Sequence, residues 1–247
     1  MVYRSRLVDS PVWDATSSWM SRIGRHEFGF LLSLLLAAGA LWAFVVLTGE
    51  VLEGDTHGFD EALLLAMRNP QDVTDPIGAL WFEELARDVT ALGGMGVLTF
   101  LTLALCGYLG LQHKGRGAVL LLAAIAGGIT ASMLLKAGFD RPRPDLVPHG
   151  SYVYTSSFPS GHSMMSAIVY LTLGALLARF QKSRRLKAYV LALAAFVTLA
   201  VGLSRVYLGV HWPTDVLAGW TAGATWALVC WAVARRMQRR GTVEQES

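Results

Sequence analysis

The last loop of the chain carries the residues best suited to chemistry. His211 and Asp215 lie at the start of the last apolar run, where charges near hydrocarbon are costly and are retained mainly for function. Pro213 fits the first position of a helix, which places His211 on the loop before that helix and Asp215 in its first turn. A histidine held by a carboxylate is a better nucleophile or base, because the acceptor fixes the tautomer and stabilises the cation that forms. The alternative interpretation is a capped helix beside a histidine with an ordinary structural role.

Three cationic side chains fall near the same end of neighbouring apolar runs. Lys136 and Arg143 follow the third run, and Arg205 precedes the loop that carries His211. A phosphate spreads negative charge over several oxygens, so a site without a metal must meet it with fixed cations and N–H donors. The planar arginines are suited to bidentate contact with such a group. This cluster therefore indicates a phosphate site.

The fourth apolar run begins directly after Pro159-Ser160-Gly161-His162. Ser160 and Gly161 open the predicted helix, where unpaired N–H groups and the helix dipole favour an anion. Two histidines are then available for two steps. His211, backed by Asp215, would attack phosphorus and form a phospho-histidine, and His162 would protonate the leaving oxygen and then activate water.

Composition defines the kind of scaffold that must position these residues. Of the 247 residues, 53% are hydrophobic and only 16% are charged, with a mean hydropathy of +0.44, whereas about a quarter of the residues of a soluble domain are charged. A multi-span membrane protein is expected. The net charge of +3 does not indicate a nucleic-acid partner, because the basic residues are clustered in loops between apolar runs. Both cysteines lie inside apolar runs and are interpreted as core residues.

Six apolar runs are long enough to cross a bilayer. They cover residues 28–47, 92–111, 118–135, 163–180, 188–204 and 214–233. Most of the loops between them are short, so the predicted fold class is all-α, a compact bundle of six transmembrane helices. Gly219 and Gly223 form a small-xxx-small pair in the last run, which favours a close helix contact.

The loop charges predict the orientation of the bundle. Only six of the 21 basic residues fall on one side of the membrane. They are Arg68, Arg87, Lys136, Arg141, Arg143 and Arg205. The others fall on the opposite side, which places both termini in the cytoplasm and the phosphate site at the periplasmic or exterior face of the cell (inner) membrane.

The domain organisation follows from these runs. Residues 28–234 are the predicted six-span domain, with the chemical motifs within 136–215. Residues 1–27 are predicted to form a cytoplasmic interfacial segment whose helix starts at Ser10-Pro11, and 235–247 a basic cytoplasmic tail.

Residues 48–91, the outer segment, are rich in acidic residues and predict two amphipathic helices on the exterior side. One apolar face carries Phe59 and Leu63, and the other carries Leu80, Trp81 and Leu85. We interpret them as surface helices resting on the bilayer; the alternative is a cap that shapes the access of lipid to the site.

The motifs resemble the three-part signature of the type 2 phosphatidic acid phosphatase superfamily. Lys-x6-Arg-Pro spans 136–144, Pro-Ser-Gly-His spans 159–162, and Ser-Arg-x5-His-x3-Asp spans 204–215, with every motif position filled. The resemblance implies a metal-independent lipid phosphatase without a cofactor, with His211 as nucleophile, His162 as general acid and base, and Asp215 as the orienting partner. The residues that it places around the phosphate are Lys136, Arg143, Ser160, Gly161, His162 and Arg205.

Several alternatives remain open at this point. The substrate could be a phospholipid such as phosphatidic acid or phosphatidylglycerophosphate, an undecaprenyl pyrophosphate, or lipid A, because all present a terminal phosphate. A transporter or lipid-binding protein would use intramembrane charges differently, with polar residues in mid-span. Arg141 is expected to pair with Asp140, and no metal site is predicted. The oligomeric state is open.

Overall fold

The computed structural model describes residues 11–145 and 156–239, with side chains over 28–145 and 156–238. Eight helices occur in these ranges. They are α1 (Pro11–Glu53), α2 (His57–Leu65), α3 (Leu80–Ala91), α4 (Met95–Leu111), α5 (Gly115–Ala137), α6 (Gly161–Arg179), α7 (Arg184–Tyr207) and α8 (Pro213–Arg239). Two short antiparallel strands, β1 (Arg68–Asn69) and β2 (Asp72–Pro76), lie between α2 and α3.

The predicted six-helix membrane bundle is confirmed. In the described part of the chain, five helices are long and apolar enough to cross a membrane, and six are found if α3 and α4 count as one span bent by 49°. Large apolar side chains cover the outside of the bundle, as on α1, where Trp42 is 70% exposed. Such a surface is stable when hydrocarbon, and not water, is the solvent.

The first helix differs from its prediction in extent. In the described residues it runs from Pro11 to Glu53 without a break, so the predicted start at Ser10-Pro11, which includes a residue outside that range, stays a prediction. The predicted interfacial helix is therefore continuous with the first span in these residues, and no proline interrupts 12–53. The side chains of residues 1–27 lie outside the described part, so their interfacial, cytoplasmic placement stays a prediction, as does that of the tail beyond Arg239.

Helix α6 forms the centre of the bundle, packed against α4, α5, α7 and α8. Its Met164, Met165, Ile168 and Val169 join a buried cluster with side chains of α4 and α5. On the α8 side the contact is close, because a Cβ on Gly219 would lie 2.7 Å from the Ser160 carbonyl oxygen. The predicted small-residue contact is confirmed, and it holds the first turn of α6 against the first turns of α8.

We expect Gly219→Ala to destabilise the protein by about 1–3 kcal/mol, the usual cost of overpacking. The new methyl would press on backbone atoms of Ser160 and Met164, so the first turn of α6 must move. Thermal unfolding in detergent, followed by circular dichroism, measures the effect. Gly39→Ala is the matched control, since a Cβ at Gly39 meets nothing within 4 Å. Equal unfolding midpoints for both variants would contradict the packing argument.

The outer segment differs from its prediction in the connection between its two helices. Both helices are present, but a β-hairpin joins them. The inward face of α2 carries Asp60 and Leu64, whereas Phe59 and Leu63 are exposed. The apolar face that carries Phe59 and Leu63 thus points away from the bundle, as expected where a helix meets lipid on one side and a polar anchor on the other.

Two buried charges attach the outer segment to the bundle. Asp60 of α2 accepts hydrogen bonds from the backbone N–H of Thr214 (2.9 Å) and its hydroxyl (2.5 Å). Arg68 of β1 donates from Nη2 to the carbonyl oxygen of Tyr207 (2.6 Å), at the end of α7. The hairpin and α2 are therefore held over the ends of the two helices that flank the His211 loop.

Candidate active site

A cavity of about 540 Å³ opens at the end of the bundle where α5 and α7 end and α6 begins. Six of the eight residues predicted for the site line it: Lys136, Arg143, Gly161, His162, Arg205 and His211. The other two, Ser160 and Asp215, are fully buried behind its wall. Residues that are 75 positions apart in the sequence, such as Lys136 and His211, thus share one pocket.

His211 is held at both ring nitrogens. Its Nδ1 lies 3.4 Å from Asp215 Oδ2 and 3.3 Å from Ser157 Oγ, while its Nε2 lies 3.2 Å from Arg143 Nη1. Because a carboxylate accepts and a guanidinium donates, we assign the proton to Nδ1 and the lone pair to Nε2. Burial lowers the pKa of His211 to about 3, so the imidazole is neutral near pH 7, and the Nε2 lone pair that accepts from Arg143 is the candidate nucleophile.

Asp215 is the fixed partner of this histidine. Its Oδ2 accepts hydrogen bonds from the backbone N–H of Trp212 (3.0 Å) and from the Ser157 hydroxyl. Its Oδ1 accepts from Arg141 Nη1 (2.7 Å). A carboxylate with this many donors stays ionised and keeps one orientation. Asp215 lies in the first turn of α8, where the sequence predicts it.

Ser157 was missed by the sequence analysis. It is fully buried and its hydroxyl lies between His211 Nδ1 and Asp215. A single serine in a polar loop gives no spacing or charge signal, so only its position two residues before Pro159 could have suggested a role.

Three cations make the cavity electropositive. Lys136 Nζ donates to the Ser156 carbonyl oxygen (3.0 Å), and Arg143 Nη1 donates to that of Val210 (2.9 Å). Arg205 Nη1 donates to Thr90 Oγ1 at the end of α3 (3.2 Å), while its buried Nε has no hydrogen-bond partner among the described residues. No carboxylate belongs to the described lining of the cavity. A bound dianion would therefore meet several donors and no like charge.

The N-terminus of α6 forms another wall. Gly161 faces Lys136, with 3.1 Å between a Cβ placed on the glycine and Lys136 Cε, and His162 follows it on the cavity surface. Ser160 is the N-cap residue, and its hydroxyl is engaged with Ser163, accepting from the Ser163 hydroxyl at 3.0 Å. The predicted contact of Ser160 with phosphate stays a prediction, which its backbone position at the helix start supports more than its side chain does.

Arg141 does not pair with Asp140, and that prediction is wrong. Its guanidinium bridges Asp60 and Asp215, at 2.7 Å from each. Asp60 comes from the outer segment, 81 positions earlier, so the true partner is brought in by tertiary structure. The pair with Asp140 does not form, because the Arg141 side chain contacts two buried carboxylates at once.

The described residues contain no group of three or more histidine, cysteine, aspartate or glutamate side chains able to hold a metal ion. The metal independence of the reaction stays a prediction, to be tested with a chelator.

The chain is similar to known membrane phosphatases. The family model of the PAP2 superfamily matches residues 117–239. Phosphatidylglycerophosphatase B of Bacillus subtilis strain 168 is 31% identical over 188 residues, which cover 73% of this chain and 85% of that protein. The lipid A 1-phosphatase of Rhizobium johnstonii is 31% identical over 124 residues, 46% of each protein.

A solved structure shows the same architecture. The crystal structure of a transmembrane PAP2-type phosphatidylglycerolphosphate phosphatase from Bacillus subtilis matches with a TM-score of 0.71 and 27% identity, over 82% of this chain and 98% of that one. The bundle therefore has a fold already seen in a transmembrane phosphatase.

Proposed function

Because this chain belongs to the PAP2 superfamily of membrane phosphatases, we propose that it hydrolyses the terminal phosphate of a membrane lipid through a phospho-histidine on His211. The observation that carries the proposal is the convergence of two histidines and three cations on one cavity, with Asp215 behind the nucleophile.

The first step is an in-line displacement at phosphorus. His211 Nε2 attacks, the bond from phosphorus to the lipid oxygen breaks, and His162 gives its proton to that oxygen. Asp215 stabilises the positive charge that develops on the imidazole. The products of this step are the free lipid alcohol and a phosphorylated His211.

The second step returns the enzyme to its starting state. His162, now neutral, takes a proton from water, whose oxygen attacks phosphorus while the bond to Nε2 breaks. Inorganic phosphate leaves and His162 is protonated again. Lys136, Arg143 and Arg205 stabilise the charge on the three equatorial oxygens in both steps.

The proposed substrates are phospholipids with a terminal phosphate, phosphatidic acid or phosphatidylglycerophosphate. Support comes from the name of the Bacillus subtilis relative and from the apolar part of the cavity lining, where Met95, Ile129, Met133 and Met165 lie beside the cations. Such a lining suits a lipid whose head group enters the polar end. Lipid A is a second candidate, favoured by the Rhizobium relative, and a polyprenyl diphosphate presents the same terminal group.

We also propose an orientation in the cell (inner) membrane. The bias of basic residues towards one side supports cytoplasmic termini and a site at the periplasmic or exterior face. The variant Asp72→Cys in the exposed hairpin tests this orientation. We expect an impermeant thiol reagent to label it in intact cells; labelling only in broken cells would contradict the proposed orientation.

The purified protein in detergent should release phosphate from phosphatidic acid and phosphatidylglycerophosphate with its rate unchanged by a metal chelator. The reason is that three cationic side chains of the cavity can stabilise the negative charge of the phosphate without a metal ion. Phosphate release is measured across these two lipids, lipid A and undecaprenyl pyrophosphate, with and without chelator. Loss of turnover with chelator, restored by a divalent cation, would contradict the metal-independent mechanism.

A further inference from the structure

The site contains a buried charge network that the catalytic steps above do not use. Asp60 of the outer segment is 0% exposed, although Phe59 and Leu63 of the same helix are exposed. Among the described residues, its carboxylate accepts hydrogen bonds from the N–H and hydroxyl of Thr214 and from Arg141 Nη2 at 2.7 Å, all outside the outer segment. It accepts from the first turn of α8, the turn that carries Asp215.

Arg141 connects the two carboxylates. Its Nη2 reaches Asp60 Oδ2, while its Nη1 donates to Asp215 Oδ1 (2.7 Å) and to Thr214 Oγ1 (2.8 Å). The planar fork of a guanidinium can hold two acceptors in a fixed relation, which an ammonium cannot. The bridge therefore fixes Asp215 Oδ1 and leaves Oδ2 turned towards His211 Nδ1.

The charges of this network also matter for catalysis. A lone arginine on Asp215 would offset the negative charge that stabilises the imidazolium formed on His211. With Asp60 as its second acceptor, the charge of Arg141 is neutralised by Asp60. The negative charge of Asp215 then still acts on the His211 ring. A buried ion pair on its own contributes little to the free energy of unfolding, so stability alone does not account for three charges at this place.

We propose that Asp60 is a positioning residue for phosphoryl transfer, acting on His211 through Arg141 and Asp215. The outer segment thereby supplies part of the active site's support. The inference rests on the proposed function of His211 as nucleophile.

The test is a comparison of Asp60→Asn with the wild type on phosphatidic acid in mixed micelles. We expect kcat to fall by roughly 10–100-fold, as for other residues that orient a catalytic group, with KM within about three-fold, because Asp60 does not line the cavity. Glu61→Gln is the matched control, an exposed carboxylate on the same helix, and should keep wild-type kcat and KM.

Two further variants make the test independent of the folding of Asp60→Asn. Arg141→Lys keeps the charge but cannot bridge, and should lose kcat by a similar factor. Arg141→Met with Asp60→Asn removes both charges, and should lose no more kcat than Arg141→Met alone, since the link through Arg141 is already absent and asparagine keeps an oxygen acceptor for the Thr214 N–H.

Three outcomes would overturn the proposal. They are wild-type kcat in Asp60→Asn or in Arg141→Lys, a change confined to KM, and multiplied losses in the double variant. Each of these outcomes counts only when the wild type and the Glu61→Gln control both release phosphate. A wild type that releases no phosphate from any lipid would instead reject the proposed function.

Discussion

Replacing His211 by alanine is expected to lower kcat for phosphatidic acid by about 10⁴-fold or more, the usual cost of removing a covalent nucleophile. No other described side chain on the cavity surface presents a neutral imidazole Nε2 with a carboxylate behind the ring. KM should change little, because the cations that hold the phosphate remain. Initial rates of phosphate release by the purified variant provide the measurement.

The control is His113→Asn. His113 is exposed in the loop between α4 and α5, at the opposite end of the bundle from Lys136, and its φ of 56° suits asparagine. This variant should keep wild-type kcat. A His211→Ala protein that unfolds at the same temperature as the wild type and hydrolyses phosphatidic acid at its rate would exclude the covalent mechanism.

Replacing His162 by alanine should lower kcat for phosphatidic acid by about 10²–10⁴-fold, the range for loss of a general acid and base. The size of the loss should depend on the leaving group. An aryl phosphate releases a phenolate that needs no proton, so formation of the phospho-enzyme should recover, while its hydrolysis still lacks a base. Rapid mixing of the variant with an aryl phosphate should therefore show a burst of phenolate followed by a slow steady rate.

Equal losses on phosphatidic acid and on the aryl phosphate, without a burst, would assign His162 to phosphate binding alone. The same control, His113→Asn, should show the wild-type course on both substrates. The two histidine variants thus separate the nucleophile from the proton carrier.

The spans and the catalytic motifs could be predicted from the sequence because each depends on local information. A bilayer requires long uninterrupted apolar runs, and these became α1, α5, α6, α7 and α8. The helix starts at Pro213 and Gly161 followed from proline geometry and from N-cap chemistry. Once the spans were placed, their shared ends brought the motifs to one side of the membrane.

The residues that support the site could not be predicted, because their contacts depend on tertiary structure and not on local sequence. Asp60 and Arg141 are 81 positions apart, and nothing in either local sequence marks them as partners. The burial of Asp60 on the inward face of α2 could not be predicted either, because the apolar pattern of the helix marks only the face that points away from the bundle. Here Phe59 and Leu63 are exposed while Asp60 is buried, as expected for a helix that meets lipid on one side and a polar anchor on the other.

The most direct test of the account is to identify the residue that carries phosphate during turnover. The wild type and His162→Ala are quenched within milliseconds of mixing with radiolabelled phosphatidic acid, and the labelled peptide is sequenced at alkaline pH, where phospho-histidine persists. We predict label on His211 in the wild type, less of it in His162→Ala because the lipid oxygen then lacks its proton donor, and none in His211→Ala. Label on any other residue, or hydrolysis by the wild type with no labelled protein, would contradict it.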